Sequence, residues 1–213
     1  MIVMGGSTTW QSLNHQTQAG LTCNTTLKSY ICVQCFYFLY QMKSITHSYF
    51  GFLDADALKK DDVIWEKYFD LNGETFEVAL WAGSSANAEQ QTIMLDAFEA
   101  FLQQLPAMDL LARQQLKHYL TENSDFIDFH MEEIPDDSDV LSQLVADANG
   151  GSISASAFVD KMKLDSVGMW LQQIGMDDEP IIMDYMFAPE NSDQILAVKF
   201  TLDHQLVTIS WES

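Results

Sequence analysis

Charge divides this chain into two parts, and that division decides which residues can fold together as one domain. All 31 acidic residues lie at or after Asp54, whereas the three cysteines precede it. Residues 1–41 carry a single charged side chain, Lys28. Residues 42–213 hold the other nine Lys and Arg residues against 31 acids, which gives a net charge of −22. We therefore predict one acidic domain in residues 42–213.

The N-terminal part is predicted to be an extension outside that domain. Polar residues dominate it until an apolar run at residues 30–40, about half the ~20 residues that cross a bilayer. Only Lys28 precedes this run as a positive charge, and no small-residue cleavage site follows it closely. Three interpretations remain open: an upstream start with Met42 as the natural beginning, a poor secretory signal, or a disordered arm. The abrupt change of composition at Met42 favours the first.

The negative charge restricts the partners of the acidic part. It repels phosphate backbones and anionic lipid surfaces, so we expect no nucleic-acid and no membrane binding. Arg113 is the only arginine, which argues against bidentate recognition of phosphate. A basic protein would instead be steered toward this surface. Since the acidic part contains no cysteine, we expect a reducing, cytoplasmic location. The oligomeric state stays open.

A β-hairpin is the clearest structural signal in the acidic part. Two β-rich runs, residues 64–71 and 75–82, flank Asn72-Gly73. This dipeptide favours a type I′ turn, in which both central residues need positive φ. Apolar side chains alternate along both runs, as a half-buried sheet requires. A shorter aromatic stretch, residues 47–53, is also predicted as strand.

Helical spacing and further β-rich runs complete the predicted fold. Apolar residues at intervals of three and four predict helices over residues 84–104, 109–122, 140–148 and 154–162, and Pro106 is expected to end the first. Strands are predicted over residues 125–134, 167–174, 181–187, 195–202 and 206–211. The result is an α+β fold with mainly antiparallel sheet: an N-terminal β-hairpin, a central helical region and a C-terminal antiparallel β-meander.

The metal and cofactor motifs in this sequence are all incomplete. The pair Cys32 and Cys35 has no second pair and no His at zinc spacing. Asp54 and Asp56 begin like a calcium loop, but the loop lacks its glycine and its closing Glu. Neither glycine-rich phosphate motif occurs. We therefore predict no cofactor and no metal.

Catalytic motifs are equally sparse, so we predict no catalytic residue. The spacing of His130 and Glu132 matches the H-x-E of zinc deaminases, but the P-C-x-x-C that those enzymes need is missing. His130 with Glu132 and Glu133 is nevertheless the best set for general acid–base work. It defines the alternative function, a hydrolase or metal-dependent enzyme. The tryptophans are interpreted as core packing rather than as a ligand-stacking wall.

Several segments carry a family resemblance. They read FLD (52–54), WE (65–66), FDLNG (69–73), LDAF (95–98), FHMEE (129–133), SDQILAV (192–198) and ISWES (209–213). In these segments the chain resembles the bacterial domain-of-unknown-function family 2004, over residues 42–213. The resemblance implies a small α+β bacterial protein and supplies no catalytic residues.

The function expected from these observations is protein binding. Strong acidity, the absence of a catalytic motif and the size of the domain fit a small non-enzymatic bacterial protein that holds a basic partner. A toxin-neutralising, immunity-type role is the concrete version. The alternatives are the enzyme that uses His130 and a purely structural or regulatory domain.

Overall fold

The structure is a computed structural model that describes residues 44–53, 62–82, 88–135, 138–148, 151–171 and 179–213. The chain divides into two compact units, Met1–Tyr40 and Gln41–Ser213, and all described residues belong to the second. The predictions made for residues 1–41, for the cysteine pair and for the loop that begins at Asp54 lie outside the described residues.

The described part of the chain is α+β, as predicted. Its strands are β1 (Ile45–His47), β2 (Gly51–Leu53), β3 (Val63–Leu71), β4 (Glu74–Ala82), β5 (Lys163–Leu171), β6 (Ile181–Met186), β7 (Ile195–Phe200) and β8 (Leu206–Glu212). Its helices are α1 (Ala88–Gln103), α2 (Leu105–Glu122), α3 (Asp125–Glu133), α4 (Asp139–Ala148) and α5 (Ala155–Lys161).

A six-stranded sheet organises the molecule, in the order β3-β4-β5-β6-β7-β8. Every neighbouring pair is antiparallel except β4 and β5, which are parallel. Parallel neighbours need a crossover connection, and here that connection contains all five described helices. β1 and β2 form a separate antiparallel hairpin.

One face of the sheet forms the core with the helices. Alternate side chains of the strands point to this face and are fully buried, such as Val78 and Leu80 on β4 and Met183 on β6. They join helix residues such as Phe98 and Leu116 in one cluster. A single core therefore contains alternate residues of the strands and residues three or four positions apart on the helices.

The predicted hairpin is confirmed as β3 and β4. Asn72 and Gly73 have φ of 56° and 89°, both positive as a type I′ turn requires. Phe76 on β4 is buried and pairs with Phe69 on β3, as the predicted alternation requires. The C-terminal meander is confirmed as β5 to β8, although β5 begins at Lys163, four residues before the predicted start.

Two local predictions are wrong. Residues 125–134, predicted as a strand, form α3, because Phe126, Ile127 and His130 bury one side of a helix despite a pattern that resembles alternation. The second concerns the start of α2, which lies at Leu105 rather than at residue 109, because Pro106 is tolerated in the first turn, where its missing N–H needs no partner. α1 does end before this proline, at Gln103, within one residue of its predicted end.

The aromatic stretch at residues 47–53 also differs from its prediction. It is not one strand but the end of β1, a turn and β2. Gly51 opens β2 with a φ of 75°, a conformation that glycine adopts without strain.

The second face of the sheet carries polar residues and a tryptophan pair. Trp81 on β4 and Trp170 on β5 are cross-strand neighbours, with ring centroids 6.2 Å apart and planes 8° from parallel. The ring of Trp170 lies over Gly168, where a Cβ would come within 2.1 Å of its edge. The pair lies on the face opposite the helices, so its interpretation as core packing needs revision.

Gly168→Ala tests this arrangement. The added methyl group must displace the Trp170 ring, and we expect a loss of about 1–3 kcal/mol in the free energy of unfolding, as overpacking typically causes. Urea unfolding measures the loss, and near-ultraviolet circular dichroism reports the disturbed tryptophan pair. In a Trp170→Ala background the same glycine substitution should be nearly neutral. An equal loss in both backgrounds would contradict the contact.

Candidate functional site

His130, a residue of α3, lies at the centre of an aromatic cluster. Its side chain is fully buried. The rings of Phe126, Phe129, Phe158 and Phe187 surround it, with centroid distances between 4.3 and 5.9 Å. This cluster joins α3 to α5 and to the segment that follows β6.

The two ring nitrogens of His130 have different partners, which fixes the tautomer. Nδ1 lies 2.7 Å from the carbonyl oxygen of Phe126, which can only accept, so Nδ1 carries the proton and donates it. Nε2 of the neutral ring is therefore an acceptor. It lies 3.1 Å from Oγ of Ser192, whose hydroxyl donates to it. Oγ of Ser192 also accepts the backbone N–H of Gln194 at 3.2 Å.

Burial controls the charge of this histidine. Removal from water lowers the pKa of His130, and the hydrogen bond to Phe126 offsets part of that effect. The imidazole is thus held neutral near pH 7.

A pocket of about 540 Å³ opens beside this histidine. α3 contributes one wall, and the end of β6 with the following loop contributes the other. We call it the acidic pocket, because three of its lining residues are acidic: Phe129, Glu133, Met186, Pro189, Glu190, Asn191, Ser192 and Asp193.

The loop that carries Ser192 begins with a strained residue. Ala188 has a φ of 49°, which is uncommon for a residue with a Cβ. Its carbonyl accepts the backbone N–H groups of Asn191 and Ser192, at 2.8 and 3.1 Å. The bonds of Ser192 to His130 and to Gln194 hold the same loop from the other side. Such strain is typical of positions whose surroundings fix a functional conformation.

The structure does not assemble His130, Glu132 and Glu133 as one catalytic set. Both ring nitrogens of His130 are bonded to Phe126 and Ser192, whereas the two glutamates are exposed. Glu132 projects about 200° around α3 from His130, because successive residues of a helix are about 100° apart. Glu133 lines the acidic pocket. The residue that does meet the histidine, Ser192, is distant in sequence and belongs to no recognisable motif.

A second buried polar cluster was also missed by sequence reasoning. Asp109 on α2 accepts the hydroxyl of Tyr185 at 2.8 Å and Nε of Arg113 at 3.0 Å. Arg113 also donates to the carbonyls of Val159 and Met162. Burial, followed by the charge of Asp109, raises the pKa of Tyr185 far above its usual range. The cluster ties α2 to α5 and to β6, so the single arginine has a structural task. Its spacing of four from Asp109 was the available signal.

Asp184 is the partly buried acid of the opposite sheet face. It accepts the hydroxyl of Ser166 at 2.8 Å. Burial raises the pKa of Asp184, and the bond from Ser166 only partly compensates. Among the described residues, no group of three or more His, Cys, Asp or Glu side chains is arranged to hold a metal ion.

Within the described ranges, no helix combines the length and the apolar character that crossing a membrane would require. Comparisons with protein-family models, with curated proteins and with solved structures found no match to this chain. The resemblance to the bacterial family 2004 therefore stays a prediction.

The burial of His130 predicts a loss of stability in mild acid. Below its ordinary pKa of about 6.5 the unfolded chain gains a proton that the folded chain resists, so the free energy of unfolding falls as the pH drops. We expect the fall to be shallower in His130→Gln. Urea unfolding between about pH 5 and pH 7.5 measures both slopes. His118→Gln is the matched control, because the His118 side chain is 71% exposed. A slope in His130→Gln equal to that of the parent would contradict the assignment.

Asp184→Asn should raise the melting temperature at neutral pH. The folded-state pKa of Asp184 is raised, so its ionised form, present above that pKa, is disfavoured by folding. Asparagine keeps an acceptor for Ser166 without the charge, and its advantage should vanish below about pH 4, where the acid is itself neutral. Calorimetry at both pH values checks this. Asp165→Asn, at an exposed position of β5, controls for the change in net charge.

Proposed function

We propose that this protein is a protein-binding module that holds a basic partner at the acidic pocket, in the manner of a toxin-neutralising immunity protein. The proposal includes a bacterial, cytoplasmic setting and no role in binding nucleic acid. One observation carries it: three acidic residues and no Lys or Arg line this pocket, whereas most described Lys and Arg residues form ion pairs elsewhere.

The pairing of the basic residues is internal. In the described part of the chain, four of them form ion pairs: Arg113 with Asp109, Lys117 with Asp160, Lys161 with Asp147, and Lys199 with Glu179 and Glu212. A fifth, Lys67, lies over the ring of Phe69 at 5.4 Å. Most of the positive charge on the described residues is therefore neutralised by acids of the same chain.

The acidic pocket has the opposite character. Glu133, Glu190 and Asp193 line it, and no Lys or Arg does. Its walls of Phe129 and Met186 are apolar. A lysine or arginine side chain needs this combination, because its alkyl stem packs on apolar surface while its charged head bonds to carboxylates.

The surface chemistry of a nuclease toxin supports the immunity role. A nuclease toxin is basic where it holds phosphate, so an acidic protein can cover that surface with fast, salt-sensitive association. Charge complementarity supplies the encounter, and an anchoring side chain in a pocket supplies specificity.

The test removes charge from the pocket without changing its shape. The triple variant Glu133→Gln, Glu190→Gln and Asp193→Asn should bind a basic partner about tenfold to a hundredfold more weakly, with a smaller dependence on salt. A pull-down from the native host with mass identification provides the partner, and calorimetry at low and high salt then compares the variants.

The matched control removes the same charge at exposed positions away from the pocket, through Glu74→Gln, Glu89→Gln and Asp203→Asn. It should weaken binding far less than the pocket variant does. If the two triple variants bind equally well, the pocket is not the contact site. If the affinity of the parent protein is unchanged in high salt, the electrostatic mechanism is wrong.

A further inference from the structure

We propose that Ser192 is an activated nucleophile with His130 as its general base, and that the acidic pocket takes carboxylic esters that carry a positive charge. This goes beyond the proposed binding function and does not depend on it. It also replaces the set of His130 with two glutamates by a pair that the fold brings into contact across 62 residues of sequence.

The Ser192 hydroxyl donates its proton toward His130. Because the Nδ1 proton of His130 is committed to the Phe126 carbonyl, Nε2 offers a lone pair to Ser192 at 3.1 Å. A nucleophile within hydrogen-bond reach of a base, with the base oriented by a third group, is the arrangement that activates a serine. Here the third group is the Phe126 carbonyl, a neutral acceptor. It fixes the orientation of the imidazole and stabilises the imidazolium that forms when His130 takes the hydroxyl proton.

The state of the base also suits this reaction. The phenylalanine rings around His130 exclude water, and Ser192 is the bonded group that separates Nε2 from the acidic pocket. A general base must be unprotonated at the working pH, and this one is neutral near pH 7.

The exposure of the nucleophile suits it as well. Ser192 is only partly buried and lines the acidic pocket. The backbone N–H of Gln194 donates to its oxygen, and the strained turn at Ala188 begins its loop. These contacts hold Oγ beside the base, on a residue that lines the open volume from which an acyl carbon would approach.

The reaction balances without a cofactor. Oγ of Ser192 attacks the ester carbonyl carbon, and the hydroxyl proton moves to Nε2 of His130. The bond from carbon to the leaving oxygen then breaks, and Nε2 returns the proton to that oxygen, which releases an alcohol. Water then attacks the acyl carbon while Nε2 of His130 takes one of its protons. The bond from the acyl carbon to Oγ breaks, and Nε2 returns the proton to Oγ, which releases a carboxylic acid and restores both residues.

The charge of the pocket selects the substrate. Glu133, Glu190 and Asp193 lie around the same volume as Ser192, so an ester with a cationic acyl or alcohol part is attracted and an anionic one is repelled. The apolar side chains of Phe129 and Met186 suit a short hydrocarbon portion.

The test uses the full chain with two chromogenic assays, one for the neutral ester p-nitrophenyl acetate and one for acetylthiocholine, a cationic thioester in which sulfur takes the place of the leaving oxygen and a thiol is released instead of an alcohol. We expect peptide mass mapping to find the acetyl group on Ser192. Hydrolysis should fall about a hundredfold in Ser192→Ala, the size of a typical general-base effect. Ser210→Ala is the matched control, because the Ser210 hydroxyl donates to Glu212 rather than to a histidine. Equal rates in the two variants would overturn the proposal.

A second measurement remains decisive if loss of the Ser192 hydroxyl disturbs the loop. The thiol of a Ser192→Cys variant, beside the same base, should react with iodoacetamide well below the ordinary thiol pKa of about 8.5. The thiol of a Ser210→Cys variant should not, and mass mapping separates both from the three native cysteines. Similar pH profiles for the two engineered thiols would refute activation by His130.

Substrate selection is tested separately from binding of a protein partner. The pocket variant with Glu133→Gln, Glu190→Gln and Asp193→Asn should raise KM for acetylthiocholine by a larger factor than it raises KM for p-nitrophenyl acetate. Ser192→Ala keeps all three carboxylates, so hydrolysis should show the same hundredfold fall while a basic partner still binds. For the parent protein, ester hydrolysis without binding of any basic partner would reject the binding function alone, and binding of a basic partner without acetylation of Ser192 would reject the nucleophile alone.

Discussion

The parallel contact between β4 and β5 is the constraint on which the rest of the domain depends. Two parallel strands that lie side by side cannot be joined by a tight turn, so the intervening chain must cross over the sheet. All five described helices lie in that connection. Their apolar sides cover one face of the sheet and complete the core, and α3 is thereby placed against the β6–β7 loop. The acidic pocket and the Ser192–His130 contact both follow from this placement.

Charge and burial divide the remaining polar groups into two kinds. Asp109, Arg113 and Tyr185 satisfy one another inside the domain, where an unpaired member would be costly. The carboxylates of the acidic pocket stay in contact with solvent and have no basic side chain among the pocket residues. The first group therefore stabilises the fold, and the second is available to a cationic ligand. This contrast is the physical basis of the proposed binding function.

Sequence reasoning succeeded where a local rule was strong and failed where tertiary packing decided. Asn72-Gly73 specified its hairpin because positive φ at two successive residues admits few alternatives. The segment 125–134 was misassigned because its short apolar pattern fits both a strand and a helix, and only the burial of Phe126 and His130 against the core selects the helix. The sequence singled out His130 but not its contact with Ser192, since four elements separate the serine from α3 and no local signature marks it.

The sequence by itself determined the α+β class, the main hairpin, the C-terminal meander and the excess of negative charge, because these depend on local periodicity, turn chemistry and composition. The tertiary structure alone decided which polar groups meet. A histidine in α3 and a serine after β6 come into contact only when the helices pack on the sheet, and the tautomer that makes one nitrogen an acceptor depends on that burial. No spacing along the chain encodes such a contact, because it arises from the sum of many apolar contacts distributed over the whole core.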